Sequence, residues 1–214
     1  STMKDVNKMM VAILGTLDDV LVDEVGGAVR DYLANQTSDA RTWPSDDDLI
    51  ATLPGIKLYG NVRQSRLRVV LEALEMNMRT QRHEAISLPS KLSVEHVMPQ
   101  AWRSHWDPEP KLSPEAAADR DKLVNTLGNL TLVTSDLNGT LSHRPWTDAA
   151  TAPLKTTGEN KGLGKRSLLN KYSVLLLSRE IVDQHAEAWT EEDIRKRSVK
   201  LAKVLCDVWP RPVS

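Results

Sequence analysis

The sequence predicts an α+β fold, predominantly α-helical, in which a helical domain carries one small β-containing motif. Apolar residues recur at helical spacing along most of the 214 residues, and the clearest β-rich run is the short Thr131-Leu132-Val133-Thr134. Composition agrees with this. Hydrophobic residues make up 40% of the chain but aromatics only 4%, with six Trp and no Phe, so the core must be mostly Leu, Val, Ile, Met and Ala. A chain of this size can bury one substantial core with a small satellite. We divide it into an N-terminal helical part over residues 1–86, the β-containing motif over 87–148, and a flexible basic loop with C-terminal helices over 149–214, one domain overall.

From Met3 to Leu33, Val6, Met9, Met10, Ile13, Leu17, Val20 and Leu21 follow a helical period that Gly26-Gly27 is expected to interrupt. Trp43-Pro44-Ser45-Asp46-Asp47-Asp48 reads as a turn whose Ser or Asp caps a short helix over Leu49 to Leu53, ended near Pro54-Gly55. Leu67, Val70, Leu71, Leu74 and Met78 mark an amphipathic helix. Arg63, Arg66, Arg68, Arg79 and Arg82 along it can touch phosphates or form a solvated face with Glu72 and Glu75.

Pro89 and Pro99 bracket an extended segment. Ser113-Pro114-Glu115 starts a helix toward Val124, Gly128 ends that region, and Ser135-Asp136-Leu137-Asn138 starts another helix after the β-rich run. Thr147 to Lys165 has the Thr, Ala, Gly, Lys and Pro composition of a flexible loop. Two helices close the chain. One runs from Leu168 to His185, and the other starts at a Thr190/Asp193 capping box and buries Ile194, Ser198, Leu201, Leu205 and Trp209.

A net charge of −1 leaves no global attraction for nucleic acid, so local basic stretches must supply any such contact. The single cysteine, Cys206, excludes internal disulfides and a Cys-built zinc ribbon and suits a reducing cytoplasm. With no apolar run of membrane-spanning length and no charged-then-apolar leader, a cytoplasmic protein is expected.

The chemistry-bearing residues are Glu95 and His96, followed by Asn129 and Asn138. Hydrolysing a phosphodiester requires a deprotonated water, neutralised phosphate oxygens and a stabilised leaving alkoxide. An imidazole suits the first task, and one hard cation such as Mg²⁺ or Mn²⁺ on carboxylate and carboxamide oxygens suits the others. On a regular strand Glu95 and His96 point to opposite faces, so a twist or bulge near Pro99, or a bridging water, is expected to reconcile them.

Glu95-His96-Val97-Met98-Pro99-Gln100 resembles the first strand of the HNH, or ββα-metal, nucleases. Asn129, in Leu127-Gly128-Asn129-Leu130-Thr131-Leu132, matches that signature's middle Asn, and Asn138 its last Asn or His. The resemblance implies that His96 is the general base, that Glu95 and Asn138 are metal ligands, and that Asn129 ties the hairpin together and orients His96. Many family members carry a Cys pair for a structural zinc where this chain has Thr134 and Leu137, so packing against Leu130, Leu132 and neighbouring helices must hold the motif. His143 would face about 140° away from Asn138 on a regular helix and is given no role, nor are His105 and His83.

A narrower resemblance, from roughly Asp46 to Trp209, is to the C-terminal HNH domain of GmrSD-type restriction proteins. There the domain is joined to an N-terminal nucleotide-hydrolysing domain with an Asp-Gly-Gln-Gln-Arg-type motif, and the whole attacks modified foreign DNA. That motif is absent from this sequence, which implies a C-terminal portion of a larger protein. The expected function is a metal-dependent DNA endonuclease acting on double-stranded foreign DNA in phage defence. The alternatives are a catalytically inert DNA- or partner-binding domain regulating the nucleotide-hydrolysing half, and a helical regulatory module. Arg144, the first basic residue after Asn138, is the expected phosphate contact, with Lys165, Arg166 and Lys155 as further candidates.

Overall fold

The sheet among the described residues has two antiparallel strands, β1 (Leu92–His96) and β2 (Leu130–Thr134), in a computed structural model that describes residues 3–37, 42–79, 87–89, 91–107, 111–154 and 157–211. Its register runs without interruption from Leu92 opposite Thr134 to His96 opposite Leu130. The rest is mostly helical, so the α+β class holds. No helix among the described residues is long and apolar enough to cross a membrane.

The chain divides into two compact units, Ser1–Leu49 with Trp209–Ser214, and Ile50–Val208. The first contains α1 (Met3–Gly15) and α2 (Val25–Ala34). The interruption falls before the glycine pair rather than at it. Thr16 Oγ1 donates to Ile13 O at 2.7 Å as α1 ends, and Gly26 and Gly27 sit in the first turn of α2. Next is α3 (Asp46–Thr52), which starts earlier than expected because Ser45 and Asp48 form a capping box.

In the second unit α4 (Gln64–Met78) buries Leu67, Leu71 and Leu74 and packs on both strands. After β1, α5 (Pro114–Leu123) is capped by Ser113, whose hydroxyl accepts from Ala116 N. After β2, α6 (Ser135–Leu141) is capped by Thr134 and buries Leu137, so these two positions serve as a cap and a core contact. The expected helix from Leu168 to His185 is two helices, α7 (Lys165–Tyr172) and α8 (Leu176–Gln184). The break has a tertiary cause. The buried Glu75 carboxylate on α4 accepts from Leu176 N and Leu177 N, so another helix supplies the cap that starts α8.

α9 (Glu191–Val208) starts at the Thr190/Asp193 box and buries Ile194, Ser198, Leu201 and Leu205, but it ends before Trp209, so the stripe stops at Leu205. It lies against the turn Leu127–Asn129. Gly128 N donates to Ser198 Oγ at 2.8 Å, and a Cβ at residue 128 would run into the backbone of α9, so glycine is required there for approach rather than for helix termination. Trp102, Trp146 and Trp189 join the aliphatic core, which is thus less purely aliphatic than composition suggests.

Candidate active site

β1 ends in Glu95 and His96, both buried, at 7% and 8% exposure. Within β1 itself the pairing has no bulge as far as His96, and Pro99 lies beyond the strand. The unbroken register sends the two side chains to different partners, as strand alternation requires.

Glu95 turns to Lys165. The ammonium, 1% exposed, donates to Glu95 Oε1 at 2.5 Å and to the His96 carbonyl oxygen at 2.7 Å. Lys165 is therefore in a helix and in the core, not on a flexible loop. The start of α7 is pinned to the preceding segment, with Gly164 N donating to Asp148 Oδ1, Lys165 N to Pro145 O and Arg166 N to Trp146 O. A Cβ on Gly164 would lie 2.5 Å from Trp146 O, so only glycine permits this approach. Burial pushes the Glu95 carboxyl up and the Lys165 ammonium down, and their mutual attraction opposes both shifts.

His96 faces the other way. Its ring meets the Tyr59 ring edge-on at 4.4 Å, and Nε2 lies 3.4 Å from Asn125 Oδ1. Burial, reinforced by the nearby Lys165 charge and opposed by Asn125, lowers its pKa to about 4. The imidazole is consequently neutral at physiological pH and able to accept a proton.

Asn129 is fully buried. Its Oδ1 accepts from Met98 N at 2.8 Å and from Trp189 Nε1 at 3.0 Å, and its Nδ2 donates to Met98 O and Val124 O, each at 2.8 Å. It clasps the chain after β1 to the turn before β2, and it makes no hydrogen bond to the His96 ring. Asn138 is half-buried on α6, which packs on both strands, and its carboxamide makes no hydrogen bond among the described residues.

His143 departs from expectation. α6 stops at Leu141 and Ser142 adopts φ 42°, ψ −132°, so the regular-helix angle does not extend to residue 143. The exposed His143 imidazole comes close enough to Glu95 to act on its carboxyl electrostatically. It lines a polar cavity of about 570 Å³ with His105, Thr140, Arg144, Glu159 and Asn160.

Half-buried Arg144 donates from Nε to Thr140 O and from Nη1 to Asn160 O and Leu163 O, stapling the loop to α6. Arg166, also half-buried, donates from Nε to Val182 O at 3.1 Å. Lys155, Arg82 and His83 lie outside the described residues. Among the described residues no three His, Cys, Asp or Glu side chains cluster as a metal site.

Sequence reading assigned no role to Gln100, Asn125 or Trp189, and missed the pairing of Lys165 with Glu95. Gln100 and Asn125 are carboxamides close to the motif residues His96 and Asn129, which is the signal that could have marked them.

Comparison with curated proteins and with solved structures found no match. A family model described as GmrSD restriction endonucleases, C-terminal domain, matches residues 43–204, taking in both strands, Glu95, His96, Asn129, Asn138 and Lys165, and the chain belongs to that family.

Proposed function

We propose that this chain is a metal-dependent DNA endonuclease module of HNH, or ββα-metal, type, acting in the cytoplasm within a restriction protein directed against foreign double-stranded DNA. The observation that carries this reading is the end of β1, where a buried carboxylate adjoins a buried neutral imidazole and α6, packed on the same strands, offers an uncommitted carboxamide.

The donor set suits the chemistry. Glu95 and Asn138 offer oxygens of the kind Mg²⁺ or Mn²⁺ prefers, and His143 acts electrostatically on the same carboxylate. When bound, one such ion neutralises charge on the phosphate and the departing oxygen. His96 takes a proton from the attacking water as its oxygen bonds to phosphorus. The opposite P–O bond breaks, leaving a phosphate monoester and an alkoxide that takes a proton from solvent water to become a hydroxyl. Asn129 acts at one remove, by fixing the backbone at Met98 just beyond His96. Arg144 and Arg166 serve as phosphate contacts through the guanidinium nitrogens left over from their backbone bonds. Lys165 enters through Glu95 and not as an exposed phosphate contact, because its ammonium is enclosed.

With Mg²⁺ or Mn²⁺, the chain is expected to nick or linearise supercoiled plasmid. His96→Ala should lower the rate by about 100-fold or more with an unchanged circular dichroism spectrum. Undiminished cleavage by that variant refutes the assignment.

The Glu95–Lys165 contact, which occupies the carboxylate, favours a second reading. In it the domain binds DNA, or an N-terminal nucleotide-hydrolysing partner domain that it regulates, without hydrolysing anything. Plasmid left intact at high protein excess but retarded in a gel establishes this alternative.

A further inference from the structure

Asn125 has only one way to satisfy its surroundings. Its Nδ2 donates to Asp121 O at 2.9 Å, and its Oδ1 accepts from Gln100 Nε2 at 2.8 Å. Exchanging the amide ends would set carbonyl against carbonyl at the Asp121 backbone, which cannot turn to compensate, so the orientation is fixed there, and Gln100 complements it. The oxygen therefore faces His96 as an acceptor with one lone pair still open, and His96 Nε2 lies 3.4 Å away. An unprotonated Nε2 would meet that oxygen lone pair to lone pair. Both residues are buried, at 5% and 8% exposure, which disfavours relief by water. The other ring nitrogen, Nδ1, makes no hydrogen bond to any described residue.

We propose that Asn125, held by Gln100 and the Asp121 backbone, is a positioning residue that locks His96 as the Nε2–H tautomer and leaves Nδ1 as the atom that receives the proton. The role of Nδ1 rests on the nuclease reading, whereas the tautomer does not.

The test is ¹⁵N-detected NMR of the whole 214-residue chain with labelled histidine, near pH 8, alongside plasmid cleavage. A pyridine-type Nδ1 and a pyrrole-type Nε2 at His96 are expected. Asn125→Leu should lower the ratio of Nε2–H to Nδ1–H forms by about tenfold, the equivalent of one hydrogen bond. It should also lower kcat by about 10- to 100-fold with little change in KM. Gln100→Leu, at an exposed position, should move the ratio in the same direction by a smaller factor. An Nδ1–H tautomer in the unaltered chain overturns the proposal even if the protein cleaves DNA, and so does a ratio that Asn125→Leu leaves unchanged. An Nε2–H tautomer whose share falls in Asn125→Leu, in a chain that cleaves nothing, upholds the Asn125 assignment while the nuclease reading fails. Should Asn125→Leu not fold, the exposed Gln100→Leu variant decides, and a ratio it leaves unchanged then overturns the proposal.

Discussion

Asn129 engages both ends of its carboxamide with four partners in the core, which makes it a clasp first and a contributor to chemistry only through the backbone it holds. Replacing it by Leu strands the Met98 amide and the Trp189 indole N–H without acceptors. The expected cost is about 3 kcal/mol or more, read as a lower urea midpoint. His96 contributes a pH dependence whose sign follows from its lowered pKa. Between about 4 in the folded protein and its ordinary 6.5 in the unfolded chain, only the unfolded state binds the proton. Its stabilisation is full above the unfolded value and is lost as pH falls through about 4, a total of roughly 3 kcal/mol. His96→Gln should therefore lose less stability than the unaltered chain when urea melts near pH 7 and near pH 4.5 are compared. Lys165→Met leaves the Glu95 carboxylate buried without its cation, so a loss of about 3–5 kcal/mol is expected at neutral pH. Acidification should shrink that loss as Glu95 protonates, and adding Glu95→Gln should recover part of it in a double-mutant cycle. The strand ending in Glu95 and His96, the turn before the β-rich run at Asn129 and the helix carrying Asn138 were legible from local patterning, and the roles of these four residues come from the resemblance to the HNH signature. Asn125, Gln100 and the Lys165 pairing were not, because a hydrogen bond between positions 25 to 70 residues apart has no local signature.

Among the elements, those with self-contained signals were legible. Ser113 and Thr190 cap helices with their own neighbours, and Pro89 and Pro99 flank the extended segment that becomes β1. Those depending on distant partners were not. α7 and α8 read as one helix because the Glu75 cap for α8 comes from α4. Glu75→Ala should cost about 3 kcal/mol, since it uncaps α8 and leaves Arg79 without its 2.6 Å partner. Hydrogen exchange at the Leu176 and Leu177 amides should accelerate more than at α9, and equal protection would show that α8 is capped in another way. The turn at Leu127–Asn129 shows the same dependence, because α9 lies where any side chain on residue 128 would go.

On the scale of the whole molecule, the unit Ile50–Val208 contains both strands, α4 to α9 and every described candidate residue. The family match over residues 43–204 coincides with it closely. Removing residues 1–42 should consequently leave one cooperative unfolding transition and the His96 ring resonances in place, as followed by denaturant melts and NMR. A broad, non-cooperative transition would show that the core extends into the N-terminal residues.

The sequence alone determined the α+β class, the short strands, most helix starts and the order of the motif residues, because capping, proline restriction and apolar periodicity act within one or two turns of chain. The tertiary structure alone decided that Lys165 would be enclosed beside Glu95, that Asn125 would face His96, and that α8 would be a separate helix. Each of these depends on burial, which removes water as the competing partner and makes a distant side chain the cheapest remaining way to satisfy a charge or a polar group.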